Sequence, residues 1–389
     1  MPSVISYISS FFARHLRREV KELYFSVAIL DLAINMVALF EPIYLWQKAD
    51  FSLVHILLFY LGVYGVYFFI LPLGAKIARG YGFEHSILYS SPFLILYYLA
   101  LFAIPFSPWF IGAAIIAFAI QKTLYWPGYH ADFAVYSNDG DRGREISNLA
   151  MVMSFTAVAG PFIGGILVHF FGFPVLFMIA AAAILASNIP LLSTKEIFGP
   201  AKNFSYIGAY RRLATRENLR KFFAYLGYGE ELIFMVVWPV FIFTIVKNNL
   251  SVGSLVAGAT LLMMAILLYV GKLTDNGNKR SVLRGGVIVS VVSWIMRIFM
   301  ATPFGVFAAE TITRIGRTTV QVPLTTLTYD RARKGSVMET VIQFEMSLIA
   351  GKILAAGILL LIFTVVPQEW FWNIAFGLAG AMTLLYGLL

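Results

Sequence analysis

Ionisable side chains stand inside stretches that are otherwise apolar, and their spacing limits the chemistry this chain can do. Glu310, Arg314 and Arg317 fall at i, i+4 and i+7, within about 60° of one helix face. Glu345 and Lys352 are also seven apart and share a face. Asp31 precedes Asn35 by one turn, and Glu41 stands before Pro42. Lys122, His130 and Asp132 lie on one stretch, Glu230 and Glu231 are adjacent, and Arg297 lies on another stretch. An ionisable group in hydrocarbon costs at least about 2.5 kcal/mol, so such faces turn away from lipid, towards each other or a polar cavity.

Two uses are open to the basic residues. Glu310 and Arg314 can satisfy each other as an ion pair at helical spacing, and Lys352 with Glu345 can link two helices. Alternatively Arg297, Arg314 and Arg317 form a cationic surface, since arginine holds a carboxylate or phosphate by two parallel bonds. Among the acids, Asp31 leads as a proton carrier, because low dielectric favours the protonated form of a carboxyl group. A structural bond to Asn35 is its alternative use. Glu41, Glu230, Glu231, His130 and Asp132 are the further proton-coupling candidates. Glu230 and Glu231 point in different directions, so at most one is expected to face a pore, and Glu41 is expected near the outer mouth. Histidine titrates near neutral pH, but His130 and Asp132 adjoin a basic turn, where gating is as apt as coupling. The substrate-binding candidates are Asn35, Lys122, Trp126, Tyr129, Tyr228, Trp238, Arg297, Glu310, Arg314, Arg317, Glu345 and Lys352.

The elements that hold these residues follow from composition. The chain has 389 residues, 60% hydrophobic and only 13% charged, with a mean hydropathy of +0.81. Soluble chains carry roughly 25% charged residues, so a water-soluble enzyme or nucleic-acid binder is excluded as a class and a membrane protein is expected. The chain has no cysteine, which removes disulfides, thiolate metal sites and cysteine nucleophiles. It shows no Walker loop, metal-ligand cluster or nucleophile elbow, so neither a metal, a cofactor nor enzyme chemistry is expected.

A membrane helix needs about 20 mostly apolar residues. Twelve such stretches occur, at roughly 23–47, 52–75, 85–105, 108–136, 147–171, 174–193, 221–246, 252–271, 282–302, 304–328, 338–365 and 369–389. Of the 29 Lys and Arg residues, 22 lie before the first stretch or in even-numbered connections and their flanks, against Lys48 and Lys247 in the odd ones. Basic residues are retained on the cytoplasmic side, so both termini are expected there. The net charge of +9 is then a topology device that also meets anionic lipid, and no nucleic-acid partner is expected. No cleavable signal peptide is expected at 1–22, and a short tail is expected after Leu389. Trp46, Trp109, Trp126, Trp238 and Trp370 lie near predicted helix ends or kinks, and interface anchoring accounts for most of that. Asn249-Leu250-Ser251 matches a glycosylation acceptor, a pattern common by chance.

The chain repeats itself. The connections Gly74–Gly82 and Gly271–Arg280 are both short, basic and glycine-bearing, and each is expected to be a turn between the second and third helices of a six-helix set. Trp126-Pro127 and Val322-Pro323 echo each other in the fourth and tenth stretches. Internal duplication follows, with six-helix bundles expected at 1–193 and 221–389, a basic cytoplasmic linker at 194–220, and a site between the bundles near mid-membrane.

Gly271, Leu273, Asp275 and the closing pair Lys279-Arg280 resemble the loop signature G-x-L-x-D-R-x-G-R-K of the major facilitator superfamily, with Asn276 replacing the arginine after the acid. The first copy keeps Gly74, Arg79 and Gly82, with Arg79 near the place of the acid. Gly160, Pro161, Gly164 and Gly165 resemble the G-P-x-x-G-G motif of exporters in this superfamily. The resemblance implies an all-α fold of twelve transmembrane helices in two pseudo-symmetric bundles. It implies that Asp275 latches the outward-facing state, and that the glycine–proline helix belongs to an antiporter. Glycines also permit close helix packing by themselves. The function expected is secondary active transport by alternating access, proton-coupled and directed to export of a small organic molecule, anionic or amphipathic. A lipid or lipid-precursor translocase is the alternative, and a non-transporting receptor the third reading. The setting expected is a plasma membrane or bacterial inner membrane, with lipids as neighbours and a monomer as the working unit.

Overall fold

The computed structural model describes residues 18–136, 142–190, 204–276 and 278–389, and no strand occurs among them. The first helices are α1 (Arg18–Ala38), α2 (Glu41–Gln47), α3 (Leu53–Tyr81), α4 (Phe83–Ala103), α5 (Trp109–Tyr136), α6 (Arg142–Phe171) and α7 (Phe173–Ser187). Two short helices follow, α8 (Tyr206–Leu213) and α9 (Arg216–Tyr225). The remainder comprises α10 (Gly229–Leu232), α11 (Trp238–Val246), α12 (Asn249–Asn276), α13 (Lys279–Arg297), α14 (Pro303–Lys334), α15 (Val337–Val365) and α16 (Phe371–Leu384).

Among the described residues, eight helical segments are long and apolar enough to cross a membrane, which marks the chain as an integral membrane protein. Phe173–Ser187 and Asn249–Met264 are shorter apolar helices. Helices α13 and α14 fall outside both groups, because Arg284 and Arg297 on one, and Glu310, Arg314 and Arg317 on the other, lower their hydropathy.

Helix ends differ from those that hydropathy marks. Residues Gly74–Tyr81 and Gly271–Asn276, expected as turns, are helical extensions of α3 and α12. A fall in hydropathy marks where apolar surroundings end, while backbone hydrogen bonding continues beyond it. The break after α3 comes at Gly82, whose φ of 103° suits a residue without Cβ. The N-terminal arginines Arg14 and Arg17, and residues 191–203 of the linker, lie outside the described residues.

Helix pairings in the first part of the chain have counterparts in the second. α4 and α3 both pack on α5, as α13 and α12 both pack on α14; α1 packs on α6 and α7, as α10 packs on α15 and α16. Across the two sets, α6 packs on α12 and α3 on α15. The buried apolar core includes Phe40, Leu57, Tyr67, Tyr97, Trp238, Trp294 and Phe376.

Candidate functional site

The charged residues of α10, α13, α14 and α15 meet in one buried network. Glu310 accepts from Arg314 at 2.7 Å, from Arg297 at 3.1 Å and from the Trp238 indole at 2.7 Å. Arg317 reaches both carboxylate oxygens of Glu230, at 2.7 and 2.8 Å, and Glu231 at 3.5 Å. Lys352 closes the set on Glu231 at 2.5 Å. Of the two arrangements open to the tenth-stretch residues, the structure has the ion pairs rather than a bare cationic surface. Both Glu230 and Glu231 enter the network: Arg317 of α14 reaches both, and Lys352 of α15 reaches Glu231. Glu345 and Lys352 do not pair with each other; each bonds across to another helix.

Phe234 is the hub of the guanidinium groups, with Arg317 at 4.2 Å and Arg297 and Arg314 each at 5.5 Å from its ring centroid. Arg297 also lies 3.8 Å from the Trp238 ring and 4.1 Å from the Trp294 ring. A cation over an aromatic face is stabilised without a hydrogen bond, which fits the unbonded Nε and Nη1 of fully buried Arg297. The register comes from a π-helical segment at Ile233–Val237. In a regular α-helix Glu230 and Trp238, eight residues apart, diverge by about 80°. A π turn takes one more residue to close, which removes roughly 100° and brings them within about 20° of one line. Their partners Arg317 and Glu310, seven apart on α14, are aligned to the same degree.

A second cluster crosses between the helix sets. His130 on α5 lies 3.0 Å from Glu345 on α15 and 2.6 Å from the Tyr329 hydroxyl on α14. Tyr67 on α3 donates to Glu345 at 2.9 Å, and Trp126 stacks on His130 with centroids 5.4 Å apart. Tyr129 stacks on Tyr125, and Tyr228 packs edge-on against Phe344 and Tyr386. Lys122 lies against the Phe118 ring at 4.2 Å and the Tyr64 ring at 5.9 Å, and forms no ion pair among the described residues. Asp132 is buried on α5.

The remaining acids lie in the first set. Asp31 accepts from Asn35 at 2.9 Å and from the Thr156 hydroxyl of α6. The intrahelical bond therefore exists, together with a second one to a neighbouring helix. Glu41 is buried and accepts from the Tyr60 hydroxyl; it faces α3 inside the bundle. Tyr60, Tyr64, Tyr67, Thr156, Phe234 and Tyr329 escape sequence reasoning. In a chain with 20 Tyr and 35 Phe, one more aromatic residue in an apolar helix carries no signal.

The glycine–proline helix α6 is packed on both sides. A Cβ on Gly160 would stand 2.5 Å from Asn35, one on Gly164 2.2 Å from the Met36 carbonyl, and one on Gly165 3.1 Å from the Asn249 carbonyl. Gly253 returns the contact, with Pro161 O 2.2 Å from its Cβ position. Gly74 abuts the Thr123 carbonyl in the same way, at 1.9 Å. Of the loop-signature residues, Lys279 pairs with Asp330 at 2.7 Å and Arg79 donates to Ser336 at 3.3 Å. Arg280 is exposed, and Gly271 is buried in α12. The Asp275 side chain, and with it the latch expected there, lies outside the described residues.

Linker helix α8 is a tie between the sets. Pro72 has no N–H to give the Phe68 carbonyl; Tyr210 donates instead to Phe68 at 3.2 Å and to Phe69 at 2.9 Å, and Tyr206 to Phe69 at 2.7 Å. From the same helix Arg212 pairs with Glu339 on α15. At the other end of the bundle a cavity of about 800 Å³ gathers Tyr44, Trp46, Lys48, Phe102, Phe106, Phe173, Phe243 and Asn249. None of the interior ionisable residues lines it. No group of His, Asp and Glu that could hold a metal occurs among the described residues.

Neither a scan of protein-family models nor a search of curated proteins finds a match to this chain.

Proposed function

We propose that the chain is a secondary transporter of the major facilitator type, in which two six-helix bundles, 1–193 and 221–389, rock about a central site while 194–220 joins them. The observation that carries this reading is an asymmetry between the two ends. Polar ties between the sets (His130 with Glu345 and Tyr329, Arg79 with Ser336, α8 with α3 and α15) gather towards one end. The opposite end holds the cavity. One state of an alternating-access cycle has this form, closed towards the basic, cytoplasmic face and open outward. The repeated pairings of the two sets support the duplication.

Asp31 is the proposed proton site, held by Thr156 and Asn35, and the direction proposed is export by antiport. The unit is a monomer among lipids, with protons as the coupling ion and no other cofactor. The aromatic lining of the cavity favours an amphipathic cargo and keeps a lipid translocase as the second reading.

The native chain has no cysteine, so thiol labels report only on introduced sites. Spin labels on Lys48→Cys with Lys247→Cys would read one end, and on Tyr81→Cys with Lys334→Cys the other. Alternating access gives two distance populations at each end that change in opposite senses with pH or ligand. A single fixed distance at both ends under every condition overturns the reading.

A further inference from the structure

Two ammonium groups from different helix sets share one aromatic ring. Lys352 on α15 has its Nζ 5.1 Å from the Tyr64 centroid, and Lys122 on α5 has its Nζ 5.9 Å from it. Lys352 has a carboxylate in contact, Glu231 at 2.5 Å. Lys122 has none: its near neighbours are the ring faces of Phe118 and Tyr64. The acids within electrostatic range of Lys122 are Glu41, Glu231 and Glu345. Each is already engaged, by Tyr60, by Lys352, and by His130 with Tyr67. The two lysines repel each other, and one positive charge at the junction of α3, α5 and α15 stays without a contacting anion.

We propose that this position is a binding site for a monocarboxylic acid, whose carboxylate sits on Lys122 and whose apolar body lies along Phe118 and Tyr64. A single carboxylate is what Lys122 lacks in contact; a dianion would crowd Glu41, Glu231 and Glu345. The Phe118 and Tyr64 ring faces beside Lys122 suit an apolar or aromatic body, which gains from packing on rings. Calling this acid a substrate rests on the transport reading, but its binding does not.

The test is equilibrium binding to the purified full chain, read by calorimetry and by melting-temperature shift. Benzoate stands for a small aromatic acid and decanoate for an acyl-chain acid, with benzamide and decanamide as neutral counterparts. The expected result is that at least one acid binds, that its amide does not, and that Lys122→Gln loses tenfold or more in affinity while Lys122→Arg retains it. Whichever acid binds identifies the source of the carboxylate. On the native chain the bound acid also protects Lys122 from acetylation, mapped by mass spectrometry, so the outcome does not depend on Lys122→Gln folding. Equal binding of acid and amide, unchanged affinity in a folded Lys122→Gln variant, or absence of both binding and protection overturns the site. If the acid binds while the spin labels show fixed ends, the site stands and the transport reading falls; the converse removes the site alone.

Discussion

Arg317 lies 2.7 and 2.8 Å from the two carboxylate oxygens of Glu230, although 87 residues separate them in the chain. Both side chains are almost wholly buried. Removing one partner of such a pair leaves an uncompensated buried charge, whereas removing both does not.

Arg317→Met is therefore expected to destabilise the protein by about 3–5 kcal/mol, and Glu230→Gln combined with Arg317→Met by clearly less than Arg317→Met alone. Thermal unfolding of the purified variants provides the comparison. Additive losses would show that the two residues act independently and would remove the pair from the account of the network.

Close backbone approach across α6 sets a second expectation. Gly164→Ala and Gly253→Ala each push a Cβ to 2.2 Å from a carbonyl oxygen, and overpacking of this kind costs typically about 1–3 kcal/mol. Gly112→Ala meets nothing within 4 Å and should leave the melting temperature unchanged. Equal melting temperatures for all three variants would contradict the helix contacts described.

Asp31→Asn should preserve the fold, because an amide oxygen can still accept from the Thr156 hydroxyl and from Asn35, while the variant cannot exchange a proton. In proteoliposomes, with a bound ligand of low membrane permeability, pH-gradient-driven accumulation should vanish while ligand exchange persists. Undiminished driven accumulation would transfer the proton site to another acid, with Glu41 next in line.

The all-helical, membrane-spanning character was legible from residue types alone. Apolar stretches of helix length depend on local composition, which lipid and water read directly. The interior residues named as candidates do converge: Glu230, Glu231, Trp238, Arg297, Glu310, Arg314, Arg317 and Lys352 form one network. The reason is that hydrocarbon tolerates none of these charges alone.

Partner choice was not legible. A helical wheel offers Glu310 to Arg314, one turn apart, and that pair forms; it does not name the partner of Lys352, which is Glu231, presented by the packing of α10 against α15. The π-helical turn at Ile233–Val237 rotates Trp238 onto the line of Glu230, and no residue in that run announces it. Nor does the sequence show that Lys122 is the basic group left against aromatic rings, while Arg297, Arg314, Arg317 and Lys352 each have a carboxylate in contact. The sequence by itself determined which side chains had to be hidden from lipid. The tertiary structure decided which of them hide with one another, because pairing across helices depends on rotation and depth that local composition does not carry.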